Sequence, residues 1–253
     1  MKIKKEKIYP VIYMFLVTFI FIGFLTILNF ISREKIKQNE NFFKITAIIK
    51  SSGLLEKDNI PANLNNLPKN EIKNIFDKNF STINIKNKSF YILFNNENEK
   101  FDFDNKILKL NEIYQNFNLN KNEIINKYTS ELISIINNFI DSNKIYSFVF
   151  EITAPGLWGE IIATIGIKPD FKTIEGIEFL VQNETPGLGG RISEDWYKKS
   201  FKNKEIPLKI KKDENEKGNN SVEAITGATI TSNYVINIFN KFLTEEINLI
   251  FNK

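Results

Sequence analysis

Between Ile8 and Ile31 the chain carries no charged side chain: Ile-Tyr-Pro-Val-Ile-Tyr-Met-Phe-Leu-Val-Thr-Phe-Ile-Phe-Ile-Gly-Phe-Leu-Thr-Ile-Leu-Asn-Phe-Ile. A helix rises about 1.5 Å per residue, so this run is long enough to cross a hydrocarbon core of about 30 Å. No second stretch of comparable length and hydrophobicity follows. One membrane-spanning helix is therefore expected, with the rest of the chain on one side. Tyr9 and Tyr13 suit the headgroup level. Lys2, Lys4, Lys5 and Lys7 precede the run, which the positive-inside rule reads as a cytoplasmic N-terminus and an exported remainder. Arg33, Lys35 and Lys37 put positive charge on the far flank as well. The competing reading is a cleaved signal peptide. The run is long for one, and no small-x-small cleavage site follows it, so an uncleaved anchor is expected.

The 253 residues suffice for one medium domain beside the anchor. The formal net charge is +4, and the lysines are scattered beside Asn or Glu rather than gathered in a stripe with interleaved aromatics. That distribution argues against a nucleic-acid partner. Histidine and cysteine are both absent. Their absence excludes disulfides, the usual zinc and iron–sulfur ligand sets, a His-based triad and a His general base. Chemistry must come from carboxylates, hydroxyls, lysines, backbone amides or a borrowed cofactor.

Beyond the anchor, period and composition predict an α+β domain. Asn41 to Leu55 reads as a short helix, with Phe42, Ile45, Ile48 and Ile49 on one face and Gly53 as C-cap. Pro61 and Pro68 mark a loop, and Glu71 to Phe80 a further helical segment. Ser89 to Phe94 is strand-like, Asn95 to Glu99 reads as a polar turn, and Glu123 to Ile140 as a helix built on Ile124, Tyr128, Leu132, Ile135 and Phe139. Scattered carboxylates in residues 33–145 read as solvated surface. The character changes at Tyr146. Tyr146 to Ile152 is strand-like, and Ala154-Pro-Gly-Leu-Trp-Gly159 is a turn presenting Leu157 and Trp158. Glu160 to Ile167 and Thr173 to Val181 make an antiparallel hairpin across Lys168-Pro-Asp-Phe171. The expected organisation is a tail and anchor in 1–32, the first part of an exported domain in 33–145, and its chemical part in 146–253.

Two loops in that last part stand out. Glu184-Thr-Pro-Gly-Leu-Gly-Gly190 combines three glycines with one proline, which frees backbone amides to face a ligand. A tight strand-to-helix connection has the same makeup, and the spacing of a nucleotide P-loop is missing. The aromatic run Trp196, Tyr197, Phe201 and then Lys204 follows, and Lys209 to Asn220 reads as a solvated loop. The second loop is Thr226-Gly-Ala-Thr229. Gly227 and Ala228 leave room for a bulky group, and the helix start behind them offers unpaired N–H groups and the positive end of the dipole, which suits a phosphate. A plainer reading has Thr231 or Ser232 capping a helix that begins near Asn233, with Val235, Ile238, Phe239, Phe242 and Ile250 as its buried stripe.

Gly156-Leu-Trp158, Glu184-Thr-Pro-Gly-Leu-Gly189 and Thr226-Gly-Ala-Thr-Ile-Thr-Ser232 occur in one order and at characteristic separations. Together they resemble the FMN-binding domain shared by the C subunit of the Na+-translocating NADH:quinone oxidoreductase and the G subunit of the related Rnf complex. No single motif is specific; the ordered set is. The N-terminal anchor fits both. Gly-Leu-Trp before the hairpin, the doubled Gly189-Gly190, Thr-Ser-Asn after the threonine motif and the helix from Ile45 to Leu55 look more like the C subunit.

The resemblance implies an α+β fold with antiparallel strands and flanking helices. It implies FMN joined through its phosphate to Thr229, the last threonine of the motif, with Thr226, Gly227 and Ala228 forming the turn around it. It also places Glu184, Thr185, Gly187, Leu188 and Gly189 near the isoalloxazine, with Leu157, Trp158 and Leu188 as apolar contacts. Lys204 matches a family lysine able to steady a phosphate or negative charge on the flavin. Two positions depart from the family pattern: Glu223 stands where Asp is usual, and Asn203 where Gly is usual. The implied role is a one-electron relay inside a multi-subunit membrane pump. The other subunits are its partners, NADH, quinone and Na+ are handled by the complex, and a flavin transferase is needed for maturation. The alternatives are the Rnf G subunit, or an anchored binding domain that has lost its flavin. No G-x-G-x-x-G follows a strand, so the chain is not expected to oxidise NADH itself.

Overall fold

A computed structural model of the chain describes residues 9–85, 88–115, 121–211 and 218–251. The N-terminal lysines, which the sequence assigns to the cytoplasmic flank, and Ile8, the first residue of the apolar run, lie outside these residues, as does most of the polar stretch before Gly218. The chain divides into two compact units, Met1–Phe43 and Lys44–Lys253.

The described residues of the first unit are helical. Helix α1 spans Tyr9–Ser51 and its most apolar 18-residue window has a mean hydropathy of 2.5, with none of it buried. Phe15, Phe19 and Phe30 are all exposed, which in water is unfavourable and in hydrocarbon is not. The hydroxyls of Thr18 and Thr26 donate to the carbonyls of Met14 and Ile22, each at 2.7 Å, so neither threonine depends on water for its donor. This helix is long and apolar enough to span a membrane. The separate helix expected from Asn41 is instead the continuation of α1. Residues 32–41 hold neither Gly nor Pro and are rich in Glu, Lys and Gln, so nothing interrupts the backbone ladder. It ends at Ser51, short of the expected Leu55, and Gly53 just beyond takes a φ of 83°, a left-handed value that favours glycine and separates α1 from the next turn of helix.

The second unit is built on a five-stranded sheet in the order β1-β2-β3-β4-β5, every neighbouring pair antiparallel. Its strands are Phe80–Ile85, Lys88–Phe94, Ile145–Pro155, Glu160–Ile167 and Ile174–Val181. The last three match the expected strand and hairpin. Residues 33–145 and 146–253 thus contribute to one sheet. Before it come a four-residue turn of helix, α2 (Leu54–Lys57), and α3 (Lys69–Asn79), which opens right after Pro68. β1 is not among the expected strands: Phe80 falls at the end of the expected helical segment, and the polar pair Ser81-Thr82 breaks the alternation after it.

Helices α4 (Glu97–Gln115) and α5 (Lys121–Asp141) link β2 to β3. The polar turn expected over Asn95 to Glu99 is a correction: only Asn95 and Asn96 bend, and Asn96 then caps α4 by accepting from the Glu99 amide at 3.0 Å. α4 has no clear period in the sequence, because Phe101, Leu108 and Ile113 are exposed while Phe103, Leu110 and Tyr114 are buried. α5 confirms its expected span and buries Leu132, Ile136 and Phe139. The side chain of Ile124 lies outside the described set.

One face of the sheet carries the main core. Phe90, Phe148 and Phe150 meet Phe242 and Phe251 from the C-terminal helices, and Phe94 meets Phe103 and Phe139. Those C-terminal helices are α7 (Thr229–Lys241), a π-helical segment (Phe242–Glu246) and α8 (Ile247–Phe251). Against the other face lie residues 47–52. The Ser147 hydroxyl donates to the Ser52 carbonyl at 2.7 Å and the Thr164 hydroxyl to the Ala47 carbonyl at 3.3 Å. Gly166 and Gly176 pair across β4 and β5 directly beneath Ser51, and neither has room for a Cβ. That cross-strand glycine pair lets helix backbone approach sheet backbone.

Candidate functional site

The site is assembled from three loops at one end of the sheet. The first is the β3–β4 turn. Pro155 and Glu160 close the ladder, and the Gly156 amide donates to the Gly159 carbonyl at 2.6 Å. The turn holds Leu157 43% and Trp158 69% exposed. Both large apolar side chains face outward with their amides turned inward.

The second is the loop after β5. Thr185 accepts at its carbonyl from the amides of Leu188 (3.1 Å) and Gly190 (2.9 Å), which folds the loop back on itself. Gly187 sits at φ 75° with open space around it, and Leu188 is exposed. The residues after it form a 3-10 turn (Gly189–Ser193) and the short helix α6 (Asp195–Lys199).

The third is Thr226-Gly-Ala-Thr229. Val222 precedes it on β7 (Ser221–Val222), a two-residue strand parallel to β6 (Lys209–Ile210). The expected solvated loop from Lys209 is therefore corrected at its first two residues, which pair. Gly227 takes φ 79°, and a Cβ there would meet the Leu188 side chain at 3.1 Å, so the threonine turn touches the glycine loop. The Ala228 amide donates to the Ile225 carbonyl at 2.9 Å, and α7 starts at Thr229. That is four residues earlier than the helix start expected near Asn233.

Thr231 and Ser232 are not its caps. The N-cap position is Ala228 and no side chain caps the helix. Ser232 is buried; its hydroxyl accepts from the Ile225 amide at 3.0 Å and donates to the Ala228 carbonyl at 3.1 Å, which ties the turn to the helix it precedes. Thr226 and Thr229 are exposed, as is Ile230 beside them. The stripe of α7 buries Val235, Ile236 and Phe239, with Ile238 only partly covered.

Glu184 joins the three loops. It is 4% exposed. Its Oε1 accepts from the amides of Leu157 (2.8 Å) and Trp158 (3.2 Å), and its Oε2 from the Thr231 hydroxyl (2.8 Å). Gly156 and Gly189 pass close on either side: a Cβ would stand 2.7 Å from Glu184 Oε1 at Gly156, and 2.7 Å from Thr231 Oγ1 at Gly189. The partner Thr231 was hidden in the sequence by its resemblance to a helix cap.

The structure thus brings together Leu157, Trp158, Glu184, Thr185, Gly187, Leu188, Gly189, Thr226, Gly227, Ala228 and Thr229. It does not bring Lys204 to them. The Lys204 ammonium lies 3.5 Å from the Gly218 carbonyl, and its backbone carbonyl accepts from Ile174 at 2.9 Å. Asn203 before it has φ 58°, the left-handed value that explains a preference for glycine there. Tyr197 and Phe201 are core residues that brace α7 through Phe239, with the Phe201 and Phe239 rings 5.6 Å apart. Burial pushes the Tyr197 hydroxyl above the usual phenol range.

An exposed hydroxyl on the first turn of an uncapped 13-residue helix suits a phosphate, since the leading N–H groups have no side-chain acceptor. Leu157, Trp158, Leu188 and Ile230 leave apolar surface open beside it, which suits a flat ring. These residues fit FMN. Residues 156–244 match the family model for the FMN-binding domain. Over that segment the chain is similar to the FMN-binding domain.

The proteins to which the chain is similar agree with the resemblance read from the sequence. The C subunit of the Na(+)-translocating NADH-quinone reductase of Pasteurella multocida is 30% identical over 113 residues, covering 42% of this chain and 44% of that protein. The G subunit of the proton-translocating ferredoxin:NAD(+) oxidoreductase complex of Clostridium ljungdahlii is 37% identical over 94 residues, covering 37% and 49%. The chain spans about half the length, or less, of these curated relatives. Among solved structures, the C subunit of the Na(+)-translocating NADH-quinone reductase from Parabacteroides distasonis superposes with a TM-score of 0.51 at 20% identity, over 87% of this chain and 96% of that one. The likeness establishes the α+β fold of the chain beyond the matched segment.

Proposed function

We propose that the chain is the electron-relay subunit of a membrane Na+-translocating NADH:quinone oxidoreductase, carrying FMN in phosphoester linkage to Thr229. The observation that carries this reading is the Thr229 hydroxyl, exposed on the first turn of an uncapped helix and fixed beside the Glu184 loop. FMN, when bound, supplies the redox chemistry. The chain's own residues do the rest. Gly227 lets the turn lie against Leu188, the uncapped amides of α7 would hold the phosphate, and Leu157, Trp158 and Leu188 would offer apolar contact to the ring. Lys204, whose ammonium lies by the Gly218 carbonyl, is assigned no flavin contact.

α1 anchors the chain in the cell membrane, with the N-terminus cytoplasmic and the domain, both 33–145 and 146–253, on the outer side. NADH, quinone and Na+ are handled by the other subunits, and a flavin transferase completes the chain. A covalent link suits an exported flavoprotein, which could not recover a released cofactor. A second reading, the G subunit of a ferredoxin:NAD(+) oxidoreductase, draws on the Clostridium ljungdahlii relative. Purification from the native membrane separates the two, since the co-purifying subunits differ in where electrons enter. On a denaturing gel, a flavin-fluorescent band at the mass of the chain is the expected result. A dark band from cells holding the transferase would refute covalent attachment.

A further inference from the structure

We propose that Glu184 is a positioning residue, which holds the Leu157–Trp158 turn and the first turn of α7 in one frame and does not itself contact the flavin. The inference rests on the proposed function and assigns a role within its site. Both carboxylate oxygens are already engaged: Oε1 with two amides and Oε2 with the Thr231 hydroxyl, at 2.8–3.2 Å. With the side chain 4% exposed, little of it is left to face a ligand.

The partners explain why the residue acts through others. Leu157 and Trp158 carry the exposed apolar groups, and their amides are the groups Glu184 holds. Thr231 stands two residues after Thr229 on the same helical turn, so a bond to Thr231 fixes the azimuth of the Thr229 hydroxyl. Gly156 and Gly189 are the two places where a Cβ would collide with this network. No Lys or Arg pairs with Glu184 among the described residues, so what it supplies is acceptor geometry toward three donors. A site held this way needs the length of the side chain more than its charge.

The test compares full-length wild type with Glu184→Gln, Glu184→Asp and Thr231→Val, each co-expressed with a flavin transferase and purified in detergent. Three quantities are read: FMN on the Thr229 peptide by mass spectrometry, visible circular dichroism of the bound flavin with its quenching by iodide, and the unfolding midpoint in urea. Glutamine keeps an oxygen for the two amides and an N–H for the Thr231 oxygen, so Glu184→Gln is expected to keep the wild-type flavin dichroism. Aspartate is one methylene short. Glu184→Asp is expected to lose at least half of the dichroic signal and to become several-fold more quenchable while still unfolding cooperatively, or to lose FMN attachment that Glu184→Gln retains. Thr231→Val, which removes one bond and keeps the side-chain shape, is expected to move the same way by less, and reads the frame even where Glu184→Asp does not fold. Wild-type dichroism and quenching in Glu184→Asp and Thr231→Val would overturn the proposal, and so would a Glu184→Gln variant as perturbed as Glu184→Asp. A wild type with no FMN on Thr229 would overturn the function on which it rests; a loaded wild type with indifferent variants would overturn this proposal alone.

Discussion

Replacing Gly166 by alanine tests the contact between residues 47–52 and the sheet. A Cβ at Gly166 would lie far inside contact distance of the Ser51 carbonyl oxygen and 2.8 Å from its carbon. Both are backbone atoms, so no side chain can swing aside. The strand and the helix end must separate. Overpacking of this kind costs about 1–3 kcal/mol. Separation also weakens the bonds from Ser147 to Ser52 and from Thr164 to Ala47, worth about 1 kcal/mol each. The expected loss is about 3–5 kcal/mol. For a body of this size it lowers the melting temperature by roughly 6–20 °C. Urea unfolding of the full chain in detergent, followed by intrinsic fluorescence, measures it. Gly187→Ala is the control: φ is 75°, but nothing lies within 4 Å of its Cβ, so it incurs only the left-handed penalty of about 1–2 kcal/mol. A Gly166→Ala loss below about 1 kcal/mol, or one no larger than that of Gly187→Ala, would refute the packing account.

Two further outcomes follow from the site and its hairpin. Trp158 is 69% exposed, so Trp158→Ala is expected to leave the unfolding free energy within about 0.5 kcal/mol of wild type. In the flavin-loaded chain the same change is expected to raise quenching of flavin fluorescence by iodide; unchanged quenching would remove Trp158 from the ring contact. Asp170, in the β4–β5 turn, is subject to burial, which alone raises its pKa, but the Thr173 hydroxyl and the amides of Thr173 and Lys172 outweigh it and hold the carboxyl below its usual 3.8. A carboxyl lowered on folding stabilises above its unfolded pKa, and that contribution is lost as pH falls through the folded value. Wild type is therefore expected to lose stability more steeply than Asp170→Asn as pH falls below about 4. Parallel curves from pH 6 to 2 would count against the turn's hydrogen bonds.

The parts of the fold legible in the sequence are those where one residue type repeats with a clear period. The apolar run of α1 and the Ile-rich strands Ile145–Pro155, Glu160–Ile167 and Ile174–Val181 are of that kind. β1 and α4 were not legible, because Ser81, Thr82 and Asn84 dilute the first and exposed Phe101, Leu108 and Ile113 blur the second. At the site, the glycines and threonines marked both loops. What joins them was invisible. The bond from Thr231 to Glu184 spans 47 positions, and nothing local distinguishes Thr231 from an ordinary cap. Lys204 is the opposite case: the resemblance to a family lysine puts it with the site residues, and the fold turns its ammonium toward the Gly218 carbonyl. The pairing of Gly166 with Gly176 likewise needed the strand register, which spacing alone does not supply.

The central claim concerns one oxygen, the Thr229 hydroxyl. Full-length chain, produced with a flavin transferase and digested, is examined by mass spectrometry for the peptide containing Thr226 to Ser232, beside the same peptide from Thr229→Val. The predicted result is FMN, less one water, on the wild-type peptide at Thr229, and none on the variant, whose fold is unchanged because the hydroxyl it loses is exposed. FMN retained by Thr229→Val, or a wild-type peptide that carries none, would contradict the account.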